Sequence, residues 1–232
     1  MRHVCTIILA RDVLQEVPLL VAMNRDERYD RPATPPTSDP GPPAVLAPRD
    51  QEAGGTWIGV NEHGVIAAIA NRANGPIPER SRGLLVRNML GESDAQAAVD
   101  RATHLLDTHQ YAGCYLLVTD VGHSYLIAWD GSLTVTPIPD GVHVLVNDGL
   151  DYPPKAAAVR KHVSQLPSNG HAWIQSLRSV LADHDRGICV HGEEAGTRSS
   201  SIISVSENSV AYAHADGPPC TTGFGKVDKW QH

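Results

Sequence analysis

Apolar and polar residues alternate in short blocks along this chain, and most blocks have the length and composition of strands. Cys5–Leu9 and Pro18–Met23 are continuous apolar runs rich in β-branched residues, the pattern of strands buried on both faces. Residues 10–16 between them read as a hairpin connection. Thr56–Val60 and Val65–Ala70 flank the turn Asn61-Glu62-His63-Gly64, which has good hairpin chemistry. Four more strands are predicted at Tyr115–Thr119, Ser124–Trp129, Leu133–Ile138 and Val142–Val146. A final group follows at Ile188–Val190, Ser200–Val205 and Val210–Ala213.

Helical spacing appears in two pairs. Ser81 is placed to cap a helix running to about Leu90, and Ser93 one running to about Leu106. Pro154–Gln165 and Ala172–Ala182 form the second pair, with Pro154 at a helix start, where its missing N–H is harmless. The segment Arg31–Arg49 carries seven prolines, so it is expected to be a long irregular loop, neither helix nor central strand. Strands, two helices, strands, two helices, strands, with hairpin spacing throughout, predict an antiparallel α+β layered fold rather than a doubly wound parallel sheet. Nothing in the composition divides the 232 residues, so one domain spanning 1–232 is expected.

Charge and cysteine content narrow the function classes. Twenty-six acidic residues against 19 basic ones leave a net charge of −7. With no cationic stripe to neutralise phosphates, nucleic acid is excluded as a partner. The longest apolar run, Val17–Met23, falls far short of the ~20 residues of a membrane span, and no secretory signal is readable. Cys5, Cys114, Cys189 and Cys220 lie far apart with no CxxC pair, so a disulfide framework is not expected and a cytoplasmic location is.

GxSxG, Walker A, GxGxxG and HExxH motifs are all missing from the sequence. Among the 12 histidines, His184, Cys189 and His191 form the tightest grouping, and Cys189 and His191 would share one face of a strand. No fourth ligand is evident, so neither a metal nor any other cofactor is expected. The three cysteines other than Cys5 read as structural.

The polar run Asn24-Arg25-Asp26-Glu27 directly follows an apolar strand, as either a solvated loop or a site at a sheet end. It is followed by Arg31-Pro32, Arg49-Asp50, Gly54-Gly55-Thr56-Trp57-Ile58-Gly59-Val60-Asn61, Asn71-Arg72, Ser81-Arg82-Gly83 and Gly196-Thr197-Arg198-Ser199-Ser200-Ser201. This order resembles, over nearly the whole chain, the NRDE or Transport and Golgi organisation 2 family. That family is in turn similar to the cysteine N-terminal-nucleophile (Ntn) hydrolases, among them bile salt hydrolases and penicillin V acylases. The resemblance implies a four-layer αββα sandwich of antiparallel sheets.

It also implies a site. Cys5-Thr6 resembles the N-terminal Cys-Thr of those enzymes, and Asp26 takes the place of the aspartate that positions the nucleophile. Met23 stands where they carry an arginine. Asn71 and Asn147 resemble the oxyanion-hole residues, Arg198 matches their late arginine, and Asn24 and Arg25 are expected to bind. An N-terminal cysteine brings its own base, because an α-amine titrates at ~7.7–8.0 and a thiol at ~8.5. The amine can therefore take the thiol proton without a histidine, and each oxyanion donor is worth ~3–4 kcal/mol in the transition state.

Cys5 is preceded by Met1–Val4, so its amine is expected to be freed either by cleavage of a four-residue leader or by a start at Val4 encoded by GTG, the preferred route. The implied activity is amide or thioester hydrolysis, or acyl transfer, on a small-molecule substrate through a Cys5 acyl-enzyme. The alternative is non-catalytic: proteins of this family have been linked to haem handling and to acyl-lipid metabolism. Pocket walls are expected from Arg31–Arg49 and from the segment after Asn71.

Overall fold

The structure, a computed structural model, describes residues 5–167 and 169–231. The expected leader Met1–Val4 lies outside the described residues. In chain order the elements are β1 (Thr6–Arg11), β2 (Leu19–Arg28), β3 (Ala33–Asp39), β4 (Val45–Asp50), β5 (Ile58–Asn61) and β6 (Ile66–Asn71), then α1 (Arg82–Met89) and α2 (Ala95–Thr108). There follow β7 (Cys114–Thr119), β8 (Ser124–Trp129), β9 (Leu133–Pro137), β10 (Gly141–Val146), β11 (Gly149–Leu150), α3 (Lys155–Val163) and α4 (Gly170–Leu181). The last strands are β12 (Ala195–Ser206), β13 (Ser209–Ala215) and β14 (Gly225–Gln231). The fold is α+β, two seven-stranded antiparallel sheets with four helices among the described residues.

The chain forms two compact units. The first comprises residues up to Asp30 and from Asp140 onward, and its sheet runs β11-β10-β1-β2-β12-β13-β14. One face of this sheet presents Ile8, Ala10, Leu20, Ala22, Val144, Val146 and Ile202 to Val159 of α3 and Trp173 and Leu177 of α4. The opposite face carries Ile7, Leu9, Val21, Met23 and Ile203, which are equally buried, and this is why Ile7–Ala10 of β1 and Leu19–Met23 of β2 read as unbroken apolar runs. Burying each such side chain contributes ~1.5–3 kcal/mol.

The second unit, Arg31–Pro139, has the sheet order β3-β4-β5-β6-β7-β8-β9 with α1 and α2. On α2, Ala95, Ala98, Val99, Ala102, Leu105 and Leu106 recur at helical spacing and are buried. No helix among the described residues is long and apolar enough to cross a membrane.

Three local expectations are corrected. The proline-rich segment is a hairpin of β3 and β4, not an irregular loop. Its prolines sit where no ladder N–H is required: Pro35 and Pro36 fall at a register shift in the edge strand, and Pro48 lies beyond the two β4 residues paired to β5. Ile188–Val190 is not a strand, because the Ile188 and Cys189 amides both turn back to the Asp183 carbonyl (3.1 and 2.9 Å). The second helix is capped by Asp94, whose carboxylate accepts from the Ala97 amide at 2.8 Å and from the Ser93 hydroxyl at 2.9 Å. The short β11 and the terminal β14 have no sequence signal.

Candidate functional site

Strand register gathers chemistry at one end of the first unit's sheet. Thr6 lies opposite Asn24 on β2 and Val146 on β10, while Asp26 lies opposite Thr197 on β12. Cys5 immediately before β1, Asp26 on β2, Asn147 immediately after β10 and Thr197-Arg198 on β12 therefore share one end of four neighbouring strands. The Cys5 thiol donates weakly to the Asp26 carbonyl, with Sγ 3.7 Å from the oxygen. The Asp26 carboxylate accepts the Thr197 hydroxyl through Oδ1 at 2.7 Å.

Cys5 is 7% exposed. Burial, reinforced by the Asp26 charge, pushes its thiol up to about 12, against a smaller opposing pull from the Arg25 guanidinium. A thiol at that level carries almost no thiolate at neutral pH. Arg25 is itself buried, with Nη2 3.8 Å from Glu27 Oε2.

Arg198 owes its position to a β-bulge. The β12–β2 register steps from Thr197 opposite Asp26 to Ser199 opposite Arg25, leaving Arg198 as the extra residue. Bulges of this kind re-aim a side chain, and they concentrate beside active sites. Arg198 is half-buried, and its Nε is buried without a hydrogen-bond partner among the described residues.

Two further residues belong to this end of the sheet. Lys155 opens α3, and its ammonium donates to the Gly187 carbonyl at 2.6 Å and to Thr6 Oγ1 at 3.4 Å. Burial lowers its pKa, while the charges of Asp26, Cys5 and Asp148 act in the opposite sense. A cation in a first helical turn opposes the helix dipole, so Lys155 directly after Pro153-Pro154 is the available signal. Thr197 lies inside the stretch Gly196–Ser201 that carries the family resemblance, which points only to its neighbour Arg198.

Asn24, expected to bind, is engaged within the fold. It is fully buried, and its amide donates to the Leu181 and Ile188 carbonyls, both at 2.8 Å, while Oδ1 accepts the Ser200 hydroxyl at 2.6 Å. Leu181 ends α4, so its carbonyl has no intrahelical partner, and Asn24 caps the helix from the sheet. Asn61 repeats the device in the second unit. Its amide donates to the carbonyls of Leu90 and Glu92 after α1 (3.0 and 2.7 Å), and Oδ1 receives the His63 and Val65 amides, both at 3.0 Å.

Asn71 ends β6 in the second unit, exposed and opposite Cys114. Several stretches that carry the family resemblance make structural contacts there. Arg31 Nε lies 2.6 Å from Asp50 Oδ2. Gly55 and Gly83 cross so closely that a Cβ on Gly55 would lie 2.3 Å from the Gly83 carbonyl carbon. The β3–β4 hairpin, with Arg87 and Leu90 of the α1 region, lines a groove of about 280 Å³.

The His184–Cys189–His191 grouping gains Cys220 from the turn after β13, and the four ligand atoms lie within 4.8 Å of one another. All four cysteines of the chain are free thiols.

The family model described as Transport and Golgi organisation 2 matches residues 4–214. The Transport and Golgi organization protein 2 homolog of Homo sapiens is 31% identical over 261 residues, covering 91% of this chain and 87% of that protein. Among solved structures, penicillin V acylase from Agrobacterium tumefaciens superimposes with a TM-score of 0.64 at 14% identity, over 97% of this chain and 86% of that one. The Caenorhabditis elegans N-acylethanolamine-hydrolyzing acid amidase ortholog gives 0.56 at 13% identity, over 98% and 100%.

Proposed function

The chain belongs to the Transport and Golgi organisation 2 family and has an Ntn-hydrolase-like fold, and from that premise we propose that it cleaves a small amide or thioester, or transfers its acyl group, through a Cys5 acyl-enzyme. The observation that carries this reading is the meeting of Cys5 and a hydroxyl-anchored Asp26 at one sheet end, with Asn147 and Arg198 beside them. The fold neighbours include an acylase and an amidase, which supports the reaction class.

Activation begins with hydrolysis of the Val4–Cys5 peptide bond by water, or with translation started at position 4 and hydrolytic removal of that initiator methionine, and either route leaves Cys5 with a free α-amine. The free α-amine then takes the Cys5 Sγ proton, and the thiolate attacks the substrate carbonyl carbon. The Asn147 side-chain amide donates to the resulting oxyanion. The tetrahedral intermediate collapses with loss of the amine or thiol, which leaves with the proton held by the α-ammonium. Water then attacks the thioester, and its proton returns through the same amine to Sγ. Asp26, fixed by Thr197, orients the amine end of Cys5. Arg25, Arg198 and Lys155 supply positive potential that favours thiolate and oxyanion.

The test compares wild type with Cys5→Ala on a panel of acyl amides and acyl thioesters. Both proteins are expressed with the initiator methionine directly before position 5, so that its removal exposes the amine there. A product burst followed by slower turnover, lost in Cys5→Ala, is expected. Equal turnover by the two proteins removes Cys5 from the chemistry.

A further inference from the structure

The first unit holds a second cluster that the proposed chemistry does not use. The Cys189 and Cys220 sulfurs lie 3.7 Å apart. His191 Nε2 lies 3.8 Å from Cys189 Sγ and 3.2 Å from Cys220 Sγ. The His184 ring sits beside the His191 ring, with centroids 5.1 Å apart. From the geometry of these four side chains we propose a tetrahedral Cys2His2 site for a divalent zinc ion, made by His184, Cys189, His191 and Cys220.

The spacings are those of ligands around one centre. Tetrahedral bonds of about 2.3 Å to sulfur set two thiolates about 3.8 Å apart, and with about 2.05 Å to nitrogen a thiolate and an imidazole about 3.6 Å apart. The observed sulfur–sulfur distance and the two nitrogen–sulfur distances fall around those values. His184 adds an independent sign. Its Nδ1 lies 3.1 Å from the Cys189 carbonyl. Donation there places the ring hydrogen on Nδ1 and leaves the Nε2 lone pair for the metal, the outer-shell arrangement that metal-bound histidines adopt. The imidazoles are exposed while Cys189 is buried, which gives an entry path for the ion from solvent. Two thiolates and two imidazoles, with no carboxylate in the set, select zinc over magnesium or calcium. A full set of four protein ligands makes the site structural.

Its place in the chain gives it a task. The loop from Asp183 to His191 is not regular structure, yet it holds side chains of the sheet end. The Gly187 carbonyl holds Lys155 and the Ile188 carbonyl holds Asn24. The Val190 amide donates to Thr197 Oγ1 at 2.9 Å, and Thr197 in turn holds Asp26. The ion ties this loop to the Cys220 turn and so fixes the platform on which Lys155, Asn24 and Thr197 rest. Metal binding by the cluster stands or falls independently of Cys5 chemistry.

The experiment uses the full chain, reduced and stripped of metal, titrated with zinc chloride and separately with cobalt chloride. One equivalent of zinc per chain is expected, with a rise in melting temperature. Cobalt is expected to give the visible bands of a tetrahedral ion together with near-ultraviolet thiolate charge transfer. Cys220→Ala and His191→Ala, checked as folded by circular dichroism, are each expected to weaken zinc by about a hundredfold or more and to change the cobalt spectrum. Failure of the reduced, folded wild type to bind stoichiometric zinc or cobalt overturns the proposal. So does binding that both variants leave unchanged, since the ion then sits elsewhere.

Discussion

Replacing Asn24 tests whether the first residue of the NRDE run is a structural tie. Asn24→Ala removes both amide donors from the Leu181 and Ile188 carbonyls and the acceptor from the Ser200 hydroxyl, at a fully buried position. Three hydrogen bonds at a net ~1 kcal/mol each, plus the penalty of leaving buried carbonyls unsatisfied, give a loss of about 3–5 kcal/mol. Against a typical total of ~5–15 kcal/mol this is a large fraction of the fold's stability. Asn24→Asp is sharper still, because a carboxylate has no donor and its oxygen would face the two carbonyls. The folded state would then favour the protonated acid, so the defect should ease as pH falls toward the ordinary carboxylate range of ~4. Ser200→Ala removes one of the three bonds and should lose about 1 kcal/mol. Urea unfolding followed by circular dichroism measures all three. A loss below about 1 kcal/mol for Asn24→Ala, or Asn24→Asp unfolding at the wild-type midpoint at neutral pH, would refute the tie.

Other outcomes follow from the same geometry. In the chain with Cys5 in peptide linkage, the buried thiol near 12 should alkylate slowly with iodoacetamide, its rate rising about tenfold per pH unit without the plateau an exposed cysteine shows above ~8.5. Peptide mapping resolves Cys5, and a plateau below about pH 9 would contradict the burial argument. Gly55→Ala should destabilise by about 1–3 kcal/mol or more, read as a lowered urea midpoint, because its Cβ meets Gly83 backbone that cannot swing away. His214 is buried against Ser201 and pulled down to about 4 by burial, with Asp216 opposing. Its folded pKa lies below the unfolded value of ~6.5, so its contribution is complete above that value and is lost as pH falls toward 4, by about 3 kcal/mol in all. His214→Gln should flatten that stretch of the stability–pH curve, and an unchanged slope would count against it.

Central strands and helices are legible in the sequence because their signals are local. β1 is built on the apolar run Ile7–Ala10 and β2 opens with Leu19–Met23, α1 has its Ser81 cap, and α2 and α4 carry helical periodicity. The proline hairpin is not legible, because proline reports only a missing donor, and whether that donor is needed depends on which edge faces a neighbour. Among the candidate site residues, Cys5, Asp26, Asn147 and Arg198 come to one end of the first sheet. Asn71 belongs to the second unit, and Asn24 turns inward as a cap. Thr197 and Lys155 escape a sequence reading because their importance is long-range: each touches a partner more than thirty residues away. Cys220 is hidden for the same reason, its partners lying 29 and 31 residues earlier.

The central claim, that Cys5 carries an acyl group, is tested most directly on the protein whose initiator methionine directly precedes Cys5. It is acid-quenched during the burst and the acyl adduct is mapped by mass spectrometry. The account predicts one acyl group per chain, on Cys5 Sγ, absent from Cys5→Ala. Turnover with the acyl group on another residue, or a panel of amides and thioesters that neither acylates nor is consumed by the protein with a free Cys5 amine, would contradict it.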